Sequence, residues 1–106
     1  MKVLVKKTIL YYVKKYPKAR TQLLVWYSDF SKLKLANFNE LKSIYGSVSI
    51  VGNFRVVFNI KGNDFRLLVA INFDLLACYI IWFGTHKEYD QINVESISYD
   101  PRILNE

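Results

Sequence analysis

Cysteine and histidine each occur once, as Cys78 and His86, and these two scarcities exclude the most. A lone cysteine cannot close an internal disulfide. One cysteine and one histidine cannot furnish a conventional Cys/His zinc cluster. Cys78 is therefore expected to pack in the core as a small hydrophobe. No cluster of aspartates suggests two-metal chemistry, so neither a metal nor a cofactor is expected. Long apolar runs are also missing: the longest, Leu75 to Phe83, is about half of the roughly 20 residues a membrane-crossing helix needs. It is better read as a turn followed by a buried strand, with no membrane association. Lys2 and strand-like residues follow Met1 directly, without the apolar core of a secretory leader, so a cytoplasmic location is expected.

Acids are absent from the first stretch of the chain. Asp29 is preceded by Lys2, Lys6, Lys7, Lys14, Lys15, Lys18 and Arg20. Fifteen basic residues against nine acidic ones give a formal charge of +6, which suits an acidic partner such as nucleic acid but also a plainly solvated face. Only four glycines and two prolines punctuate 106 residues, with no linker, repeat or low-complexity tract. Residues 1–106 therefore read as one domain. Apolar residues make up 52% of the chain, enough for a core without a metal or disulfide staple.

Val3 to Val5 alternates with lysine and reads as a short opening strand that needs a neighbour. From Thr8 the period changes: Ile9, Tyr12, Val13 and Tyr16 fall at helical spacing until Pro17 interrupts them. A second helix is expected over about Lys18 to Ser31, with Leu23, Trp26, Tyr27 and Phe30 as its apolar stripe. Tyr11, Trp26 and Tyr27 have faces that can stack on RNA bases, although their spacing favours the core. Asn37 with Glu40 resembles a capping box, opening a short helix through Phe38, Leu41, Ile44 and Tyr45. Gly46 is placed as its left-handed stop.

The rest of the chain is organised around Val57 to Asp90. A two-residue II′ turn at Gly62 and Asn63 predicts Lys61 opposite Asp64, Ile60 opposite Phe65, Asn59 opposite Arg66 and Phe58 opposite Leu67. One face then carries Val56, Phe58, Ile60, Phe65, Leu67, Val69 and Ile71 for the helices. The other carries Arg55, Asn59, Arg66 and Asn72 among Val57, Leu68 and Ala70. Cys78 to Phe83 is apolar on both faces, as a central strand would be. If it pairs antiparallel with the preceding strand, it delivers Gly84, Thr85 and His86 to the sheet edge beside Arg66. Ile92, Val94 and Ile97 read as a last strand or extended arm, and residues 98–106 as a tail that is loosely anchored or closes over another element.

The segments FNIKGNDFRLLVAINF and YIIWFGTHKEYDQI, with WYSDF and NFNELKSIYG upstream, resemble the core of HigB-type toxins. These belong to the RelE-like superfamily of bacterial mRNA interferases. The resemblance covers about residues 3 to 97. It departs from the family at Lys61, where glycine is more usual, and at Asn93, where an acid is. It implies an α+β, RelE-like fold: a small, mostly antiparallel twisted sheet with two to three helices of the N-terminal half packed on one face. It also implies metal-independent cleavage of messenger RNA, commonly on the ribosome. The implied partner is a HigA-type helix-turn-helix antitoxin, through which DNA is met only indirectly.

Cutting RNA without a metal requires deprotonating a 2′-hydroxyl, stabilising charge on phosphorus and protonating the departing oxygen. Histidine suits proton transfer near neutral pH, and cations suit the phosphate. His86 is the candidate general acid or base. Arg66 is the candidate phosphate ligand, with Tyr89 for stacking or hydroxyl donation and Asp90 to orient His86. Lys61, Lys87, Arg55 and Asn59 are candidates for holding RNA. A non-catalytic binder on the same scaffold, such as a gyrase poison, and a degenerate antitoxin-binding regulator remain alternatives.

Overall fold

The computed structural model describes residues 1–100 and residue 103. Five strands form one sheet in the order β1-β5-β4-β3-β2. They are β1 (Lys2–Leu4), β2 (Ser49–Val51), β3 (Arg55–Ile60), β4 (Phe65–Asn72) and β5 (Ala77–Thr85). Only β1 runs parallel to its neighbour, pairing Val3 with Cys78. The other pairs are antiparallel. Helices α1 (Lys6–Lys15), α2 (Arg20–Ser31) and α3 (Phe38–Ile44) come from the N-terminal half, and the one-turn α4 (His86–Tyr89) follows β5.

Pro17 does what its chemistry requires. It ends α1 at Tyr16 and opens a 3-10 turn over Pro17–Ala19, so α2 starts at Arg20 rather than Lys18. Ile9 and Tyr12 of α1 and Leu23, Trp26 and Phe30 of α2 are buried against one face of the sheet. Phe58 of β3, 2% exposed, meets the rings of Trp26, Phe30 and Tyr45 at centroid distances of 5.4, 5.6 and 5.1 Å. Removing such a ring costs about 3–5 kcal/mol. Trp26 is thus core, not a free stacking face. Asn37 caps α3 by accepting from the Glu40 amide at 2.9 Å, while Glu40 accepts from Ala36 rather than from Asn37 itself. Ile44 is exposed, and Gly46 is not left-handed. Tyr45 closes the helix instead, its amide donating to the Leu41 carbonyl at 2.8 Å.

The hairpin register is the expected one, with Ile60 opposite Phe65, Asn59 opposite Arg66 and Phe58 opposite Leu67. Gly62 sits at φ +64°, as a II′ turn asks, but Lys61 is also left-handed at φ +55°. That conformation favours glycine, since a Cβ there costs roughly 1 kcal/mol. The β4–β5 ladder slips between Leu68 and Val69, which face Trp82 and Ile80 and leave Ile81 unmatched. This bulge resets the alternation of β5: Cys78, Ile80 and Phe83 enter the helix-side core, whereas Ile81 and Trp82 both join the opposite face. Gly84 then lies opposite Arg66.

The second face is not open. Val57, Leu68 and Ile81 form a small core roofed by Tyr89, Val94 and Ile97. The segment after α4 is an irregular arm rather than a strand, turned by Asn93, whose side chain accepts from the Glu95 amide at 3.1 Å. An acid at that position could accept the same bond. In the expected tail, Tyr99 shares a 3.1 Å hydrogen bond with Thr8 and Ile103 is wholly buried. Residues 101, 102 and 104–106 lie outside the described residues. Among the described residues, no helix is long and apolar enough to cross a membrane.

Candidate active site

Where β5 ends, Thr85 switches the chain from strand to helix. Its hydroxyl accepts from the Glu88 amide at 3.1 Å, and Glu88 returns the bond to the Thr85 amide at 2.9 Å. This capping box is legible in the sequence as Thr85-x-x-Glu88, the spacing that announces a helix start. The first residue of the turn, His86, donates its amide to the Asp64 carbonyl at 2.9 Å. The β3–β4 hairpin therefore fixes α4 directly.

Arg66 comes to the same place from β4. Its Nη2 lies 2.9 Å from His86 Nδ1, and its Nη1 donates to the carbonyls of Asn63 and Phe65 at 3.1 and 3.3 Å. His86 Nδ1 is also 3.3 Å from the Asn63 carbonyl. On the other side of the ring, Nε2 stands 3.8 Å from Asp90 Oδ2, with the two side chains 49% and 61% exposed. The Arg66 guanidinium lies 5.8 Å from the Tyr89 ring centre, and Tyr89 leans on Trp82 at 6.2 Å. His86, Arg66, Tyr89 and Asp90 thus form one surface cluster, with His86 and Asp90 exposed and Arg66 and Tyr89 half-buried.

A guanidinium can only donate. Nδ1 of His86 must therefore accept from Arg66, which places the proton of a neutral ring on Nε2. The Asn63 carbonyl competes for the same nitrogen with the opposite demand, because it can only accept. One ring nitrogen thus has two alternative partners, each selecting a different tautomer.

The RNA-holding candidates divide. Asn59 faces Arg66 across the ladder, and Lys87 is exposed beside His86. Lys61 is exposed on the hairpin turn, at the rim of a cavity of about 460 Å³ between α2 and β3. Arg55 is engaged elsewhere: its Nη1 donates to the carbonyls of Val94 and Ile97 at 3.0 and 2.8 Å, which ties down the arm.

Tyr16, which the sequence offered only as a helix-stripe residue, donates its hydroxyl to Glu88 at 2.8 Å. Burial, followed by the bond to Glu88 and its charge, pushes the Tyr16 phenol well above its ordinary value of 10.0. Burial alone would raise Glu88, but the bonds from Thr85 and Tyr16 and nearby Lys15 outweigh it and hold the carboxyl below 4.5. Gly84 is obligatory here, since a Cβ would stand 2.6 Å from a Trp82 ring carbon.

The family described as HigB toxin, RelE-like toxic component of a toxin-antitoxin system, matches residues 19–92. The chain is 30% identical over 95 residues, 85% of its length and 88% of the relative's, to the mRNA interferase toxin HigB of Escherichia coli (strain K12). The same figures hold for the mRNA interferase HigB of Escherichia coli O157:H7 and that of Shigella flexneri. A cluster of histidine, arginine, tyrosine and aspartate at the end of β5 is thus set in a chain that belongs to the HigB toxin family, the RelE-like toxic component of a toxin-antitoxin system.

Proposed function

We propose that this toxin is a metal-independent mRNA endoribonuclease of the cytoplasm. It cuts translated messages on the ribosome and is neutralised by a HigA-type helix-turn-helix antitoxin, through which alone it is linked to operator DNA. The observation that supports the proposal is the 2.9 Å contact between Arg66 and His86 Nδ1, close enough for the guanidinium to hold a phosphate while the imidazole moves a proton beside it. The same activity is borne in the names of its relatives.

A phosphate oxygen is a stronger acceptor for a guanidinium than an imidazole nitrogen is. When the scissile phosphate takes Arg66, exchange with solvent moves the ring proton from Nε2 to Nδ1, which then donates to the Asn63 carbonyl and leaves the Nε2 lone pair free. Nε2 then removes the 2′-hydroxyl proton and the 2′-oxygen bonds to phosphorus. The P–O5′ bond breaks, and the departing 5′-oxygen takes a proton from water. The products are a 2′,3′-cyclic phosphate and a 5′-hydroxyl. Asp90 stabilises the imidazolium formed at Nε2, and Arg66 meets the charge that develops on phosphorus. Tyr89, its ring beside the Arg66 guanidinium, stacks on a neighbouring base or donates its hydroxyl to it. Asn59, Lys61 and Lys87 hold the strand on either side, whereas Arg55 is taken up by the arm.

Induction in cells followed by mapping of new 5′ ends on translated messages tests the assignment. His86→Ala should lose about a hundredfold to ten-thousandfold in cleavage. Equal toxicity and cutting by His86→Ala would remove this residue from the mechanism. Arrest of DNA replication with messages intact would identify a non-catalytic poison instead.

A further inference from the structure

β1 pairs with β5 only as far as Leu4 opposite Tyr79, so the outer edge of β5 beyond that point has no strand beside it among the described residues. A groove of about 400 Å³ runs along this edge. Tyr11, Tyr12 and Lys15 of α1 form one wall, Trp82 and Phe83 the floor, and Tyr99 and Asp100 the other side. Nothing in the mechanism above uses it.

Lys15 and Asp100 both line the groove. Lys15 Nζ lies 6.0 Å from the Tyr11 ring centre and 5.5 Å from that of Tyr16, within the electrostatic reach of Glu88 on α4. Trp82 joins the groove to the catalytic cluster, because its ring neighbours Tyr89, which in turn neighbours Arg66. The lysine therefore lies on the side of the groove next to the turn that carries His86.

A ligand matching a lysine beside aromatic rings has a phosphate next to a flat ring. That is a nucleotide of single-stranded RNA. Aromatic walls accept any base face, and the lysine holds the backbone. Resting on the ribonuclease reading, we infer that the groove between α1 and the free edge of β5 receives the nucleotide adjoining the scissile phosphate. Its phosphate lies at Lys15 and its base between Tyr11 and Trp82.

The test is equilibrium binding of a short, mixed-sequence 2′-O-methyl RNA, which can bind but offers no 2′-hydroxyl for cleavage. It is followed by quenching of Trp82 fluorescence in a Trp26→Phe background. Tyr11→Ala should weaken binding roughly tenfold, and Tyr11→Phe should restore it, since a stacked ring is what is lost. Lys15→Ala should weaken binding and lower the salt dependence by about one phosphate contact. Circular dichroism confirms that each variant is folded. Binding within about twofold of the parent for both alanine variants would overturn the inference. So would unchanged RNA binding together with weakened capture of the purified antitoxin, which would make the groove a protein-docking surface. A chain that binds this RNA through Tyr11 and Lys15 yet cuts no message would retain the groove and refute the nuclease. A chain that cuts with unaltered groove variants would do the reverse.

Discussion

The hydroxyl of Tyr16 donates to Glu88 at 2.8 Å, joining the residue before the Pro17 break to the turn that carries His86 across 72 positions of sequence. The contact links the helical layer to the site, so its loss should be felt in catalysis before it is felt in folding. Tyr16→Phe keeps the ring contacts with Phe65 and Phe83 at 5.6 and 5.7 Å and removes only the bond. Cleavage should fall about fivefold, the equivalent of roughly 1 kcal/mol of positioning, while stability falls by less than that because the contact is exposed. Glu88 is held below its ordinary 4.5 in the folded chain. The stabilisation this reflects is therefore present above about pH 4.5 and lost as pH falls through the lower folded value. Unfolding curves of the parent and Tyr16→Phe should accordingly converge in acid.

Lys61 occupies a left-handed position at φ +55°. Lys61→Gly should raise unfolding stability by about 1 kcal/mol by relieving that conformation. RNA binding should weaken, with a salt slope smaller by about one, as expected for a phosphate ligand. A stabilised variant with unchanged RNA affinity would leave Lys61 a turn residue only.

Arg55 donates to the carbonyls of both Val94 and Ile97, holding the arm over Val57, Leu68 and Ile81. Arg55→Ala should cost about 1–3 kcal/mol and speed amide exchange from residue 92 onward. Arg55→Lys should be destabilised nearly as much, since a single ammonium lacks the planar fork. Equal exchange in parent and variant would show that the arm needs no such clamp.

Alkaline pH should unfold the protein before its surface charge alone would. Burial pushes the Cys78 thiol from 9.0 and the Tyr12 phenol from 10.0, each to about 12. The unfolded chain ionises both at ordinary values. Between pH about 9 and about 12 it therefore binds fewer protons than the folded chain, and stability declines across that window. Denaturant midpoints should be flat up to about pH 8 and then drop. Tyr12→Phe should show a shallower fall, because one of the raised groups, which also include Tyr16 and Tyr45, has been removed.

Periodicity and turn chemistry revealed much of the frame. The change of period at Thr8, the Pro17 break, the Gly62 turn and the two-faced hairpin placed Arg66 beside Gly84 in the sheet. The bulge at Ile81 was hidden, because one extra residue in an apolar run leaves no mark when every neighbour is apolar. Without it, strict alternation would send Trp82 to the helix side. The choice between a last strand and an arm stayed open for a related reason: Ile92, Val94 and Ile97 satisfy a loose strand pattern, yet Asn93 turns the chain and Arg55 binds it by its carbonyls. Arg66, His86, Tyr89 and Asp90 were readable as a group because they sit at the end of one strand and on the strand beside it. Tyr16 and Glu88 were not, since no local spacing announces a hydrogen bond between distant elements.

The most direct test of the RNA-cutting pair is cleavage of a defined message on translating ribosomes, with a single 2′-O-methyl substitution at the cut position. The Arg66–His86 arrangement predicts rapid cutting of the unmodified message to a 2′,3′-cyclic phosphate and a 5′-hydroxyl, and no cutting at the methylated position. Undiminished cutting at the methylated position would contradict it.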